Sequence, residues 1–210
     1  MSRLFLLSPA FCGGRRAKML MRAGSSMELA VALRENQLTL GAAFAFMSGL
    51  YFRGKLAYAT TFDPDLTRTF VITPTRGLQS PRMIANLELL QEFAEVDIAA
   101  DEERYRAALE LDASELGARL PDDARVVLLG SVASGKYVDV LGPHLGARLC
   151  YPPSFIGRGD MSRGGLLLRA SREGRELEYS PIAAGVRPRG LRPAKLGQAP
   201  VKLVRLHRAS

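Results

Sequence analysis

The chain contains few of the residues that define disulfide-rich or zinc-binding proteins. Its two cysteines, Cys12 and Cys150, are too few for the disulfide framework of a small secreted protein. Only two histidines, His144 and His207, accompany them, and these four positions show no zinc-ligand spacing. The composition therefore argues against a disulfide-rich fold, and it indicates neither a metal site nor a cofactor.

Long apolar runs are also missing. The most apolar stretch, residues 40–52, is shorter than the about 20 residues that cross a bilayer, and Arg53 and Lys55 follow it. The start, MSRLFLLSPAFC, is only weakly similar to a signal peptide because Ser8 and Pro9 interrupt its apolar run. We interpret it as a first buried strand, and we expect a cytoplasmic protein with no membrane partner.

Acidic residues are absent from the last part of the chain. The 210 residues include 29 Lys and Arg against 21 Asp and Glu, for a net charge of +8. Seven of the basic residues fall in residues 185–210, so the remainder of the chain has 22 basic and 21 acidic residues. We predict a single domain at residues 1–184 and a basic tail, containing Pro and Gly, at residues 185–210. Such a tail favours attraction to nucleic acid.

Short apolar runs alternate with helical patterns along most of the chain. The runs that indicate strands buried on both faces of a parallel sheet are residues 4–7, 70–73, 126–129 and 147–151. Apolar residues at helical spacing predict helices at 86–95 and 101–120. This alternation predicts a three-layer α/β/α fold with a mostly parallel central sheet. After Gly164, the segment GLLLRASREGRELEYSPI predicts a C-terminal β-hairpin with Gly174 in its turn.

Ligands of open α/β sheets bind beyond the carboxyl ends of the strands, so the loops there hold the candidate site residues. The loop GSVASGKY at 130–137 matches the G-x-x-x-x-G-K pattern of phosphate-binding loops. However, Tyr137 stands where a magnesium-binding Ser or Thr is needed, which argues against nucleotide hydrolysis. The loop is either a tightly packed turn or an anion-binding turn. The anion-binding residues would be Ser131, Ser134, Gly135, Lys136 and Tyr137.

Two further loops carry charged candidates. Arg158 and Arg163 flank Asp160, and the two guanidinium groups could clamp a phosphate. Asp160 is the best candidate for a general acid or base, although the alternative is an exposed turn with an Arg–Asp pair. Arg76, after the second predicted strand, could contact another phosphate or belong to a satisfied turn.

The first loop and the helix that follows it each leave two interpretations open. Cys12 lies near two arginines, so it is either a thiol of lowered pKa or a buried structural residue. Tyr51, Lys55 and Tyr58 share one predicted helical face. They form either a strip that stacks nucleic-acid bases or the side of a helix that covers the sheet.

The order of these segments resembles a group of uncharacterised prokaryotic domains. The matching pieces, spread over residues 4–165, are SPAFCGGRRA, GLYFRGKLAYA, VITPTRGL, LLGSVASGKYVDVL and YPPSFIGRGD. That group is similar to the accessory domain of archaeal tRNA-guanine transglycosylases and, more distantly, to uracil-DNA glycosylases. The resemblance implies a glycosylase-like sheet in which Tyr137 belongs to a Gly-x-Tyr signature. The glycosylase Asp or Asn after the first strand is missing and Tyr151 replaces a later His, so only the fold is implied.

These observations predict a protein that binds nucleic acid or a nucleotide-like ligand at the carboxyl ends of its strands. Arg76, Lys136, Arg158 and Arg163 would contact phosphates. A first alternative is a hydrolase or glycosylase-type enzyme that acts on a nucleoside or base, with Asp160 as acid or base. A second alternative is a non-catalytic protein-interaction domain.

Overall fold

Short runs of apolar residues form one six-stranded sheet in the computed structural model, which describes residues 3–183, 188, 190 and 191. The strands are β1 Arg3–Leu7, β2 Thr69–Ile72, β3 Leu78–Gln79, β4 Arg125–Leu129, β5 Leu149–Tyr151 and β6 Ser180–Pro181. The helices are α1 Arg15–Leu20, α2 Glu28–Arg34, α3 Leu40–Ser48, α4 Leu50–Phe62, α5 Leu87–Ala94, α6 Glu103–Arg119, α7 Val138–Leu145 and α8 Asp160–Glu173. Short 3₁₀ turns occupy Gly146–Arg148 and Pro153–Phe155. The protein therefore belongs to the α/β class.

The sheet has the strand order β3-β2-β1-β4-β5-β6, with β1 and β4 at its centre. The four strands β2, β1, β4 and β5 run parallel, while β3 and β6 pair antiparallel at the two edges. The four parallel strands are the four that the apolar runs predicted, with their ends shifted by a few residues. The mostly parallel central sheet is thus confirmed.

Successive side chains of β1 point to opposite faces of the sheet and enter two separate apolar clusters. Phe5 and Leu7 pack with residues of α1 to α5 and α8. Leu4 and Leu6 pack with residues of α6 and α7 on the other face. Since helices bury both faces, a parallel strand here needs an unbroken apolar run, which is why the sequence pattern detected these strands.

The predicted C-terminal β-hairpin is wrong, because its first half forms α8. This helix ends at Gly174, whose left-handed backbone (φ 60°) caps the helix instead of turning a hairpin. A short apolar run such as GLLL fits a strand or a helix, and local periodicity cannot separate the two. Tertiary packing decides it: a Cβ placed on Gly54 of α4 would lie 2.7 Å from the carbonyl oxygen of Gly164 in α8. Because both residues are glycine, the backbones of α4 and α8 can come into direct contact.

The basic tail predicted at residues 185–210 lies almost entirely outside the described residues; Pro188, Gly190 and Leu191 are the exceptions. The attraction of this tail to nucleic acid stays a prediction. Within the described part of the chain, none of the helices combines the length and the apolar character required to cross a membrane.

Candidate functional site

The location of the site follows from the path of the chain across the sheet. From β1 the chain crosses to β2 on one side, and it later returns to β4 on the other side of β1. The helices of the first crossing cover one face, while α6 covers the opposite face. Such a reversal leaves a crevice beyond the carboxyl ends of the two central strands, which is the usual ligand site of open α/β sheets.

A cavity of about 700 Å³ occupies this crevice. Its walls come from the loop after β1, the loop after β4, the junction of α3 and α4, the connection between α5 and α6, and the first residue of α8. The volume lies within the range of about 300–1,000 Å³ that small-molecule sites occupy. The cavity is therefore large enough for a ligand of nucleotide size.

The cavity wall combines positive charge with an exposed aromatic ring. Arg15 and Arg16 begin α1, and Lys136 belongs to the loop after β4. Phe11 lies on the same wall with 72% of its surface exposed, which is unusual for a phenylalanine. Asp97 contributes a carboxylate from the connection between α5 and α6. This wall offers a ring for stacking and cations for an anionic group.

Behind the inner wall, one lysine is completely buried. Lys55 of α4 has 0% of its surface exposed. Its Nζ donates a hydrogen bond to the Ser8 carbonyl oxygen and another to Ser8 Oγ at 2.8 Å. The same Nζ lies 4.3 Å from the centre of the Tyr51 ring and 4.9 Å from that of Phe52. Lys55 is therefore held by the two oxygens of one serine and by aromatic faces.

This environment destabilises the charged form of Lys55. Burial lowers the pKa of Lys55 from its ordinary 10.5 to about 7. The carboxylate of Asp160 raises this pKa, whereas the positive charges of Lys136 and Arg163 lower it further. The neutral amine is consequently populated near neutral pH, and in this form it can accept a proton.

Ser8 connects Lys55 to the cavity. It follows β1 directly and lines the cavity, although only 4% of its surface is exposed. Its Oγ also donates a longer hydrogen bond, 3.3 Å, to the carbonyl oxygen of Leu129 at the end of β4. A Cβ on Gly130 would lie 3.0 Å from the Ser8 Cβ. The first glycine of the GSVASGKY loop thus leaves room for Ser8.

Two buried tyrosines, Tyr51 and Tyr137, complete the inner wall. Burial raises the pKa of both hydroxyls above the ordinary value, so they stay protonated at neutral pH and can donate hydrogen bonds. The Tyr51 hydroxyl has no hydrogen-bond partner among the described residues. Ser8 and Arg163 nevertheless lie close enough to lower its pKa, and its oxygen is shielded from solvent, so Tyr51 shapes the inner wall without offering a free donor to the cavity.

The structure gathers part of the sequence-predicted site around this cavity. The predicted residues on its wall are Ser131, Lys136, Tyr137 and Asp160. Asp160 is the first residue of α8, and its mostly exposed carboxylate lies 3.6 Å from Arg163. Ser134 and Gly135 belong to the same loop without lining the cavity, and Gly135 adopts the left-handed backbone (φ 49°) that the turn requires.

The other predicted phosphate contacts have protein partners. Arg76 forms two hydrogen bonds with the Glu92 carboxylate, at 2.9 and 2.6 Å. Arg158 donates to Ser162 Oγ at 3.0 Å, and Arg163 is largely buried behind the inner wall. None of these three described arginines lines the cavity. The structure therefore does not bring them together with Lys136 at one phosphate position.

The structure also decides between the two interpretations that the sequence left open for Cys12 and for the aromatic face of α4. Cys12 is buried with its Sγ 3.7 Å from the Ala10 carbonyl oxygen, and burial raises its pKa to about 12. The lowered-pKa hypothesis for this thiol is wrong, and the structural interpretation is confirmed. Tyr51, Lys55 and Tyr58 are all buried. Helix α4 therefore covers the sheet, and its aromatic face is not available as a strip for stacking bases.

The sequence interpretation missed the pairing of Ser8 with Lys55. The two residues are 47 positions apart, and no local pattern links a serine after a strand to a lysine in a later helix. One signal was present: Lys55 interrupts the otherwise apolar face that Tyr51 and Tyr58 share. A basic residue in the middle of a buried helix face needs a partner, and that need could have drawn attention to it.

The fold and the cavity together define an α/β protein with a ligand-sized site at the switch point of its sheet. In the described part of the chain, no group of three or more His, Cys, Asp or Glu side chains is arranged to hold a metal ion. In comparisons with known proteins, no family model, curated protein or solved structure matches the chain.

Proposed function

We propose that the protein binds a nucleotide-like ligand, an aromatic base joined to a phosphate, in the cavity between β1 and β4. The observation that carries this proposal is the exposed ring of Phe11, which lines the same cavity as Arg15, Arg16 and Lys136. Stacking a base on an aromatic ring contributes about 1–3 kcal/mol. Guanidinium groups match phosphate oxygens in charge and geometry. One wall thus offers partners for both halves of a nucleotide.

We also propose that the sheet corresponds to the three-layer, uracil-DNA-glycosylase-like arrangement that the sequence segments resemble. The apolar clusters on the two faces of the sheet support this assignment. The loop that carries Tyr137, the residue of the Gly-x-Tyr signature in that resemblance, also lines the cavity. The ligand would be a free nucleotide or the end of a single nucleic-acid strand.

The other two functions predicted from the sequence have less support from the geometry. A glycosylase-type reaction would use Asp160, which lines the cavity but is mostly exposed and paired with Arg163. A non-catalytic interaction domain would not require a cavity of about 700 Å³ at the carboxyl edge of its sheet. Ligand binding explains the presence of this cavity most directly.

Calorimetric titration with adenosine monophosphate, inorganic phosphate and a 5′-phosphorylated oligothymidylate tests the proposal. Phe11→Ala should weaken nucleotide binding about tenfold, because about 1–3 kcal/mol of stacking is lost, and should leave phosphate binding unchanged. Replacing Arg15 and Arg16 together by Ala should weaken all three ligands at least tenfold, because hydrogen bonds from charged donors contribute about 1.5–3 kcal/mol each.

The matched control is Arg119→Ala, which removes an exposed arginine from α6, where it pairs with Glu115. This variant should bind as the wild type does. Absence of saturable nucleotide binding, or an equal loss in the control, would contradict the proposal. Tighter binding of the oligonucleotide than of the mononucleotide identifies a nucleic-acid end as the source of the phosphate.

A further inference from the structure

We propose that Ser8 is a nucleophile and Lys55 its general base, so that the cavity performs acyl transfer on an ester or amide. The inference rests on the relative placement of two residues and the cavity: Ser8 lines the cavity, and Lys55 lies directly behind Ser8. A nucleophile needs its hydroxyl at the substrate and a proton acceptor within hydrogen-bond reach, and 2.8 Å between Lys55 Nζ and Ser8 Oγ meets this requirement. Serine–lysine pairs are a known variant of the serine–histidine arrangement.

The surroundings of Lys55 argue against a purely structural role. The Lys55 Nζ lies over the rings of Tyr51 and Phe52, and an apolar side chain of similar length would pack against those rings without a buried amine. The amine instead contacts the serine that lines the cavity. Lys55 itself does not reach the cavity, so it acts through Ser8 and is not the nucleophile.

Charged and titratable groups from three parts of the fold face the pair. Tyr51 comes from α4, Lys136 and Tyr137 from the loop after β4, and Asp160 and Arg163 from α8. Burial is the largest influence on the amine, and it favours the neutral form. A neutral amine keeps two N–H groups and one lone pair, so it can still donate to the Ser8 carbonyl oxygen. Its lone pair accepts the Ser8 hydroxyl proton once that hydroxyl turns away from the Leu129 carbonyl oxygen, to which it donates at 3.3 Å.

The reaction balances with a substrate ester and water alone. Ser8 Oγ bonds to the carbonyl carbon while its proton moves to Lys55 Nζ. The bond to the leaving alcohol then breaks, and Lys55 returns the proton to the alcohol oxygen, which leaves an acyl group on Ser8. Water attacks this acyl group, again losing its proton to Lys55, and release of the acid restores Ser8 Oγ–H.

The tyrosine hydroxyls supply donors for the negative charge that develops on the carbonyl oxygen. The Tyr51 hydroxyl is buried behind the cavity wall close to Ser8, so it would donate to an oxyanion that forms on a substrate bound at Ser8. Tyr137 lies on the same wall and also remains protonated at neutral pH. Fixed donors aimed at a developing oxyanion are a major source of rate enhancement in acyl transfer.

A fluorophosphonate probe tests the nucleophile without knowledge of the natural substrate. Ser8 Oγ attacks phosphorus, fluoride leaves, and the proton passes to Lys55, so the protein gains the probe without fluoride. Mass spectrometry of peptides from the folded protein should locate one adduct on Ser8. The labelling rate should rise with pH, with a midpoint near the Lys55 pKa of about 7, and level off roughly one pH unit higher, where Lys55 is neutral.

Ser8→Ala should abolish labelling, and Lys55→Met should lower the rate at pH 8 about 100-fold, in line with the loss of a general base. Ser114→Ala is the control, because Ser114 is an exposed serine of α6 outside the cavity lining, and this variant should label normally. No adduct on Ser8, or an adduct formed equally fast in Lys55→Met, would overturn the proposal. The wild-type pH profile keeps the test decisive if Lys55→Met does not fold.

Addition of adenosine monophosphate separates this inference from the proposed ligand. Protection of Ser8 from the probe would support both proposals, because one cavity would hold both molecules. Labelling that the nucleotide does not reduce would support the Ser8–Lys55 pair and overturn nucleotide binding at this position. Nucleotide binding without any labelling of Ser8 would overturn the pair alone.

Discussion

Replacement of Lys55 by Met should remove a pH dependence from the stability of this fold. The ordinary pKa of 10.5 applies to the unfolded chain, and the folded value is about 7. At about 1.4 kcal/mol for each pH unit, burial of this amine costs about 5 kcal/mol wherever both states carry the proton. That cost is large compared with the roughly 5–15 kcal/mol that stabilises a typical protein.

The direction of the effect follows from proton binding in the two states. Below pH 7 the folded and unfolded chains both hold the proton on Lys55, so the full cost is present. Between pH 7 and 10.5 only the unfolded chain holds it, so the free energy of unfolding rises with pH. Between about pH 6 and pH 9, this rise amounts to about 3 kcal/mol.

Urea unfolding of the wild type and of Lys55→Met at pH 6, 7, 8 and 9 measures this rise. The unfolding free energy of the wild type, minus that of the variant, should increase by about 3 kcal/mol across the series. The subtraction cancels the pH dependence that other titratable groups, such as the thiol of Cys12, contribute to the unfolding free energy. Lys18→Met, at an exposed position of α1, controls for loss of a lysine. A difference that stays constant within about 0.5 kcal/mol would refute the reasoning.

Two further predictions concern packing. Gly54→Ala should lower the free energy of unfolding by about 1–3 kcal/mol, because its Cβ would meet the Gly164 carbonyl oxygen of α8; unchanged urea stability would show that the helices can separate. Cys12 should react with iodoacetamide at pH 8 at least about 100-fold more slowly in the folded protein than in urea, because it is buried with a pKa of about 12. Equal rates at this thiol, measured by peptide mass spectrometry, would show that its surroundings open readily.

The parallel strands could be predicted from the sequence because burial on both faces requires a continuous run of apolar residues in each strand. Each of β1, β2, β4 and β5 is a short apolar run that ends in turn residues. Helix α8 left no comparable trace, since its GLLL run is equally compatible with a strand. The close approach of Gly54 and Gly164 belongs to two helices far apart in sequence.

The location of the candidate site was also predictable, because the ends of parallel strands must meet at one edge of the sheet. That rule correctly brought Ser131, Lys136, Tyr137 and Asp160 to one cavity. It could not reveal that Arg76 is already paired with Glu92, because this carboxylate belongs to α5, 16 positions further along the chain.

By itself, the sequence determined which segments form the parallel sheet and which loops surround its carboxyl edge, since those properties depend on residues close together in the chain. Only the tertiary structure decided what Ser8 and Lys55 can do. The hydrogen bond between them joins residues 47 positions apart. The lowered pKa of the amine arises from burial by helices and strands drawn from the whole fold, so no local pattern could encode it.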